Sequence, residues 1–291
     1  MTAQHRPDLV SDELLTLTRA LGEPRRDLVI LAEGNTSQRL TDGRLAVKAS
    51  GSRMAEVTAA DFVVVDIDPL AELCRDPAAT QADLSAALDA GEVDGRRRRG
   101  SIEALVHVGV HAVGAPPGAG AFVGHTHPTD VVGILASVQA ETAWSRWVYS
   151  DEAVVIGRPL YVPYASPGIE LGRVFHAALR KRVEQTGELP ALVLLGNHGI
   201  VAIAPTTAGV EAVSAMAVKG ARVRSVAYAA GGWAPIADDS ITKFFARADI
   251  VERRRLLAGR SGPDGTGNSS PENQLPGNQL LGNSSPGKEL S

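Results

Sequence analysis

Apolar positions follow two rhythms along the chain up to about residue 260, one near 3.6 residues and one near two. Ser11 opens the segment SDELLTLTRAL with Glu13 close behind, and Leu14, Leu17 and Leu21 follow at helical spacing, which predicts an amphipathic helix over 11–21. Leu45–Val47 and Phe62–Asp66 read as short strands, and Asp42–Gly43 reads as a hairpin turn. Residues 70–90 suggest a helix or a variable loop. Ser101 is placed to cap a helix through SIEALVHVGVHAV. Further on, the pattern predicts strands at Ala121–His125, Val154–Ile156, Leu160–Val162, Ala191–Leu195 and Ile200–Ile203. It predicts helices at Thr129–Val138, Ile169–Glu184 and Thr207–Ala229.

This alternation defines an α/β protein with a central sheet covered by helices. No shift in composition divides residues 1–260, so they read as one domain. The character changes beyond them. Residues 261–291 are rich in Gly, Pro, Asn and Ser and repeat GNSSP at 267–271 and 282–286, a composition expected of a disordered tail because it buries too little apolar surface to offset ordering.

Composition narrows the partners. With 44% hydrophobic and 21% charged residues, and no apolar run of the roughly 18–20 residues needed to cross a bilayer, the chain reads as soluble. The N-terminus lacks an apolar stretch followed by a small-residue cleavage site, so a cytoplasmic location is expected. Cys74 is the single cysteine, which excludes an intramolecular disulfide and a cysteine-rich zinc site. A net charge of −4 offers no general attraction to nucleic acid. The one basic run, Arg96–Arg99, reads as a solvated loop.

The candidate chemistry lies where strands give way to turns. His125 and His127 follow the apolar stretch AFVG two residues apart, so on extended chain their side chains leave on one face and can reach one ion. His198 sits in GNHG between two apolar strands, where flanking glycines permit a sharp turn. Three imidazoles with one open coordination position match a catalytic zinc or similar ion. His107 and His111 share a helix face, but Val108 stands where a zincin would carry Glu, so they read as structural or supporting residues. Glu103, near the start of an otherwise apolar helix, is either a surface carboxylate or a proton-transfer group aimed at the metal. Asn35 and Thr36 in AEGNTSQRL, and Ser50 and Gly51 in KASGS, offer amides and hydroxyls that suit an anion or simply a turn.

Taken in order, GNTSQRL, KASG, SIEALVH, GHTHP, PYASPG and GNHGIVA resemble the class II aldolase/adducin family over roughly residues 10–230, and most closely its rhamnulose-phosphate aldolase-type domains. The resemblance implies a three-layer α/β/α fold with a mostly antiparallel sheet, assembled as a homotetramer. It implies one divalent ion per subunit, zinc by preference, on His125, His127 and His198. Glu103 falls on the catalytic acid/base position, and Asn35, Ser50, Gly51 and Ser101 on phosphate-binding positions. The implied reaction is metal-dependent aldol cleavage of a ketose phosphate or related sugar acid phosphate. Epimerase, dehydratase and decarboxylase activities share such a site, and a non-catalytic adducin-like binding module shares the fold; Glu rather than Asp at position 103 argues against the epimerase. One departure is visible: Ile102 stands where many of these aldolases carry a second serine. A tyrosine from a neighbouring subunit assists in several members, with Tyr149, Tyr164 and Tyr228 as candidates here.

Overall fold

The computed structural model describes residues 3–113, 118 and 120–257; the segment 261–291 lies outside them. Its centre is a seven-stranded sheet built from β1 (Asn35–Arg39), β2 (Arg44–Lys48), β3 (Phe62–Asp66), β6 (Phe122–Thr126), β7 (Leu160–Val162), β8 (Leu192–Leu195) and β9 (Gly199–Ala204). The order is β3-β2-β1-β6-β9-β8-β7, and every neighbouring pair is antiparallel except β7–β8. A separate hairpin pairs β4 (Asp89–Val93) with β5 (Arg96–Arg99).

Period-two alternation sends successive strand residues to opposite helical layers. On β2, Ala46 joins a core with Leu14, Leu17 and Leu21 of α1 (Asp12–Leu21) and Val210, Val213 and Ala217 of α8 (Thr207–Ala229). Its neighbours Leu45 and Val47 face the other way, toward α2 (Ile67–Arg75) and α4 (Ala104–Ala112). On β9, Val201 and Ile203 pack with Phe175 and Leu179 of α7 (Ile169–Thr186), while Ile200 and Ala202 join the α1/α8 side. The result is the α/β/α sandwich that the resemblance implied.

Local chemistry accounts for α1. Ser11 caps it by accepting the Leu14 N–H, Asp12 and Glu13 lie in its first turn, and the three leucines at 14, 17 and 21 are fully buried. Each such leucine contributes about 1.5–3 kcal/mol relative to exposure. Residues 70–90 resolve into α2 and α3 (Gln81–Ala87), the latter opened by a capping box between Thr80 and Asp83.

Four expectations are corrected. Residues 35–39 form a central strand despite their polarity, because Asn35, Thr36 and Ser37 are buried with hydrogen-bond partners on both faces of the sheet. Val154–Ile156 is not a strand: Ser150–Val155 is helix α6, held by a buried ion pair between Glu152 and Arg224 of α8 at 2.5 Å. Arg96–Arg99 is strand β5 rather than a loop, with Arg97 paired to Asp89 and Arg98 to Asp61. Helix α4 begins at Ala104 instead of being capped by Ser101, whose hydroxyl is engaged by the Glu103 N–H and the Asn35 amide. Two further helices, α9 (Asp238–Phe245) and α10 (Ala248–Leu257), follow α8 where the pattern had indicated none.

Candidate metal centre

The ends of β6 and β9 and the start of α4 converge on one point. His125, on β6, faces the α4 layer, since its neighbour Gly124 meets Leu21 and Val210 of the opposite layer. His127 lies just past the strand end, its N–H donating to the Leu28 carbonyl at 2.8 Å. His198 rides the β8–β9 turn, where Asn197 takes φ +52° and the His198 N–H donates to Leu195 O at 3.1 Å. Glu103 closes the group from above, at the N-terminus of α4.

Two glycines let these backbones approach. A Cβ on Gly199 would lie 2.4 Å from the Thr126 carbonyl oxygen and 2.7 Å from His127 Cδ2. Gly34 has φ +67°, and a Cβ there would lie 2.8 Å from the His125 carbonyl oxygen. Both positions reject any side chain, so the glycines of GNTS and GNHG set the distance between the ligand-bearing strands.

The ring contacts show how the donors point. His125 Nδ1–H donates to the Ile200 carbonyl at 2.8 Å, which turns Nε2 toward the cluster. That Nε2 lies 3.0 Å from His127 Nε2 and 3.3 Å from a Glu103 oxygen, while the other Glu103 oxygen lies 2.8 Å from His198 Nε2. Donor atoms from all four residues fall within 4.8 Å of one another. Tetrahedral ligands at about 2.1 Å from an ion stand about 3.4 Å apart, so the cluster has the span of one coordination shell. Three imidazoles and a carboxylate form a donor set suited to a divalent ion of the zinc type. Outside the shell, the Glu33 carboxylate approaches His127 Nδ1 at 3.6 Å.

Electrostatics agrees with that geometry. Burial pushes the Glu103 carboxyl upward, but the His125 and His198 imidazoles outweigh it and hold the group well below the ordinary carboxylate range, ionised. Burial, followed by the His125 and His198 rings, lowers His127 to about 3, so its imidazole is neutral near pH 7. For His125 burial lowers the value, yet the facing Glu103 carboxylate raises it overall.

The other expected residues divide. Asn35 is brought to the centre: it pairs with His125 across the β1–β6 ladder, and its Nδ2 donates to Ser101 Oγ at 3.0 Å and Glu103 Oε2 at 3.1 Å. Ser101 therefore joins it. Ser50 and Gly51 occupy an exposed turn alongside, tied by the Ser50 N–H to Arg99 O at 2.8 Å, while the Ser101 N–H donates to Lys48 O at 3.2 Å. Thr36 is not brought to the centre. Alternation points it into the opposite layer, where it bonds Thr18 at 2.6 Å.

One residue escaped the sequence reading. Lys48 is 1% exposed, its ammonium donating to the Ser52 and Ala49 carbonyls at 2.6 and 3.3 Å. Burial lowers it to about 8 against the raising influence of Asp61 and Glu103, placing a cation under the Ser50–Gly51 turn. Its signal was the Lys of KASG, a charge that follows the apolar run Leu45–Val47 at the buried end of the strand. Of the tyrosines, Tyr161 presents its hydroxyl to Gly196 of the β8–β9 turn and Tyr164 only its backbone nitrogen, whereas Tyr149 contacts Met216 of α8 and Tyr228 accepts from the Trp233 indole.

A three-layer α/β/α sandwich with a histidine-rich centre at the strand ends defines a class, and comparison specifies it. Residues 12–223 match the model of the Class II Aldolase and Adducin N-terminal domain, and the chain belongs to that family. YgbL of Klebsiella pneumoniae, a candidate aldolase/epimerase/decarboxylase, superposes with a TM-score of 0.59 at 19% identity, over 84% of this chain and 99% of its own. The N-terminal Class II Aldolase domain of a conserved protein from Thermoplasma acidophilum gives 0.55 at 22% identity, over 73% and 92%. The L-fuculose-1-phosphate aldolase of Thermus thermophilus gives 0.53 at 18%, over 78% and 100%. At these identities the similarity is one of fold. No curated protein matches the chain in sequence. Among the described residues, no helix is long and apolar enough to cross a membrane.

Proposed function

We propose that the protein is a divalent-metal-dependent carbon–carbon lyase that cleaves a ketose phosphate, or a related hydroxy-oxo sugar acid phosphate, into a three-carbon phosphate and an aldehyde. The observation that carries this reading is the Glu103 carboxylate standing 2.8 Å from His198 and 3.3 Å from His125 at the convergence of three imidazoles. His125, His127 and His198 would hold the ion, zinc fitting the donors best. When bound, it supplies Lewis-acid stabilisation of the negative charge that develops on substrate oxygen as the bond breaks.

The chain's own residues do the rest. Glu103, ionised and buried, accepts and returns the proton at the carbon beside the substrate carbonyl. Asn35 holds that carboxylate, Ser101 accepts from the same amide and from the Glu103 N–H, and with the Ser50–Gly51 turn above Lys48 they offer polar groups and positive charge for an anionic group. Ile102, 36% exposed between Ser101 and Glu103, contributes an apolar contact there. The same reading carries with it a cytoplasmic homotetramer, which light scattering at micromolar concentration would check.

The test is a screen of zinc-loaded protein against phosphorylated ketoses and acid-sugar phosphates, with products identified by NMR. A triose phosphate and an aldehyde are expected. An epimeric sugar, a dehydrated product or released carbon dioxide would assign one of the sister chemistries, and no turnover of any of these substrates would overturn the enzymatic reading.

A further inference from the structure

The centre is backed by a second histidine whose connections run through a single amide. His107 is fully buried on α4, one helical turn after Glu103 and so on the same face. Below it lie Asn35 and Ser37, which share a face of β1 by period-two alternation. His107 Nδ1 meets Ser37 Oγ at 2.8 Å, and His107 Nε2 contacts Asn35 Oδ1. The Asn35 Nδ2 then reaches Ser101 Oγ and Glu103 Oε2 at 3.0 and 3.1 Å.

We infer that His107 is a positioning residue for Glu103: its Nε2–H fixes the Asn35 side-chain amide in the one orientation that presents an N–H to the Glu103 carboxylate. The inference rests on the proton-transfer role proposed for Glu103.

The donor accounting allows one solution. A neutral imidazole has a single N–H, and burial with the neighbouring His125 lowers His107 to about 3, so it is neutral. The Asn35 NH2 is spent on Ser101 and Glu103, so its carbonyl oxygen faces His107 Nε2; that nitrogen carries the proton, and Nδ1 accepts from the Ser37 hydroxyl. Rotating the amide by half a turn would set its NH2 against the Nε2–H and its oxygen against Glu103 Oε2 and Ser101 Oγ, losing the two hydrogen bonds it donates in a dry interior. Ser37 anchors the ring through Nδ1, the ring meets the amide oxygen through Nε2–H, and the amide holds Glu103 Oε2 while Oε1 faces His198. Glu103 lies at a helix start with no capping bond from its side chain, so this amide is what restrains its oxygens from the β1 side.

The test uses the full-length, zinc-loaded chain with His107→Leu, His107→Gln and Ser37→Ala. Leucine removes the donor and keeps the bulk, whereas glutamine can return an N–H near the Nε2 position. Deuterium incorporation from heavy water into dihydroxyacetone phosphate reads proton transfer without requiring the aldehyde partner. His107→Leu is expected to lower the limiting exchange rate on the order of tenfold at unchanged metal content and nearly unchanged KM. Glutamine should recover most of the loss, and Ser37→Ala should lower the rate in the same sense. Wild-type exchange in His107→Leu, or equal impairment in His107→Gln and His107→Leu, would overturn the inference, since bulk alone would then explain the residue. Should the leucine variant fail to fold, Ser37→Ala decides: reduced thermal stability with an unaltered rate sinks the positioning role.

Long-range proton–nitrogen NMR of the wild-type chain is independent of activity. It should show His107 as the Nε2–H tautomer, and an Nδ1–H tautomer in the wild type refutes the inference. Absence of exchange in the wild type itself would count against the proposed reaction, while the tautomer measurement would still decide the hydrogen-bond order.

Discussion

Asn35 and His125 stand directly opposite each other across the β1–β6 ladder, so one rung of the sheet carries both a candidate metal ligand and the amide that holds the candidate base. The spacing is enforced by Gly34, whose left-handed backbone brings β1 against the His125 carbonyl. Ligand and base are thus tied to the same rigid element, and a shift of either strand would disturb both.

Removing one imidazole tests the ion site. His198→Ala should retain the fold, because its ring caps a surface-proximal turn, but lose most of the stoichiometric metal seen by elemental analysis. Gly199→Ala should also weaken binding by displacing His127, which its Cβ would approach to 2.7 Å. Undiminished metal in both variants would refute the three-histidine assignment.

Glu103→Gln separates holding from proton transfer. The three histidines remain, so most metal should stay, while exchange of the proton beside the substrate carbonyl should fall by about 10²–10⁴. Exchange at the wild-type rate in this variant would assign the base elsewhere.

Acid sensitivity has a traceable component. His111 is held neutral, lowered to about 4 by burial and then by Arg39, against an ordinary value near 6.5. Its unfolded form therefore binds a proton first, and folded stability declines as pH falls from about 7 toward 4. His111→Leu should remove about 1–2 kcal/mol of the difference in unfolding free energy between pH 7 and pH 5. Denaturant titrations at the two pH values compare the variant with the wild type; an identical pH dependence would exclude His111 as a contributor.

The Glu152–Arg224 pair ties α6 to α8 with both partners essentially inaccessible. Arg224 also donates to the carbonyls of Ala143 and Gly220 and stacks on Trp144. Arg224→Met should cost about 3–5 kcal/mol, because Glu152 is left buried and unpaired. Replacing Glu152 by Gln in the same chain should recover part of that loss. Chemical denaturation checks both, and additive losses would show that the pair is not energetically coupled.

Much of the fold was legible because its signals are local. The Ser11 cap and the leucine spacing of α1 are properties of a dozen residues, and so are the apolar strands β3, β8 and β9. β1 was not legible, since its burial is made tolerable by partners far along the chain: Thr18 for Thr36, His107 for Ser37, and Ser101 and Glu103 for Asn35. α6 was misread for a similar reason. The run Val154–Ile156 is apolar enough for a strand, and its helical state is held by the distant Arg224.

At the site, sequence alone determined the chemistry on offer. Three histidines at strand-to-turn junctions, a carboxylate at a helix start and two glycine-marked turns are matters of residue type and spacing, and so is the ordered set of motifs that resembles the family. Tertiary structure decided which of them meet. It turned Thr36 away from Asn35 because consecutive strand residues face opposite layers, and it buried Lys48 beneath the Ser50–Gly51 turn. It also set His107 behind Asn35, since a helix and a strand brought face to face pair atoms that no spacing along one chain can specify.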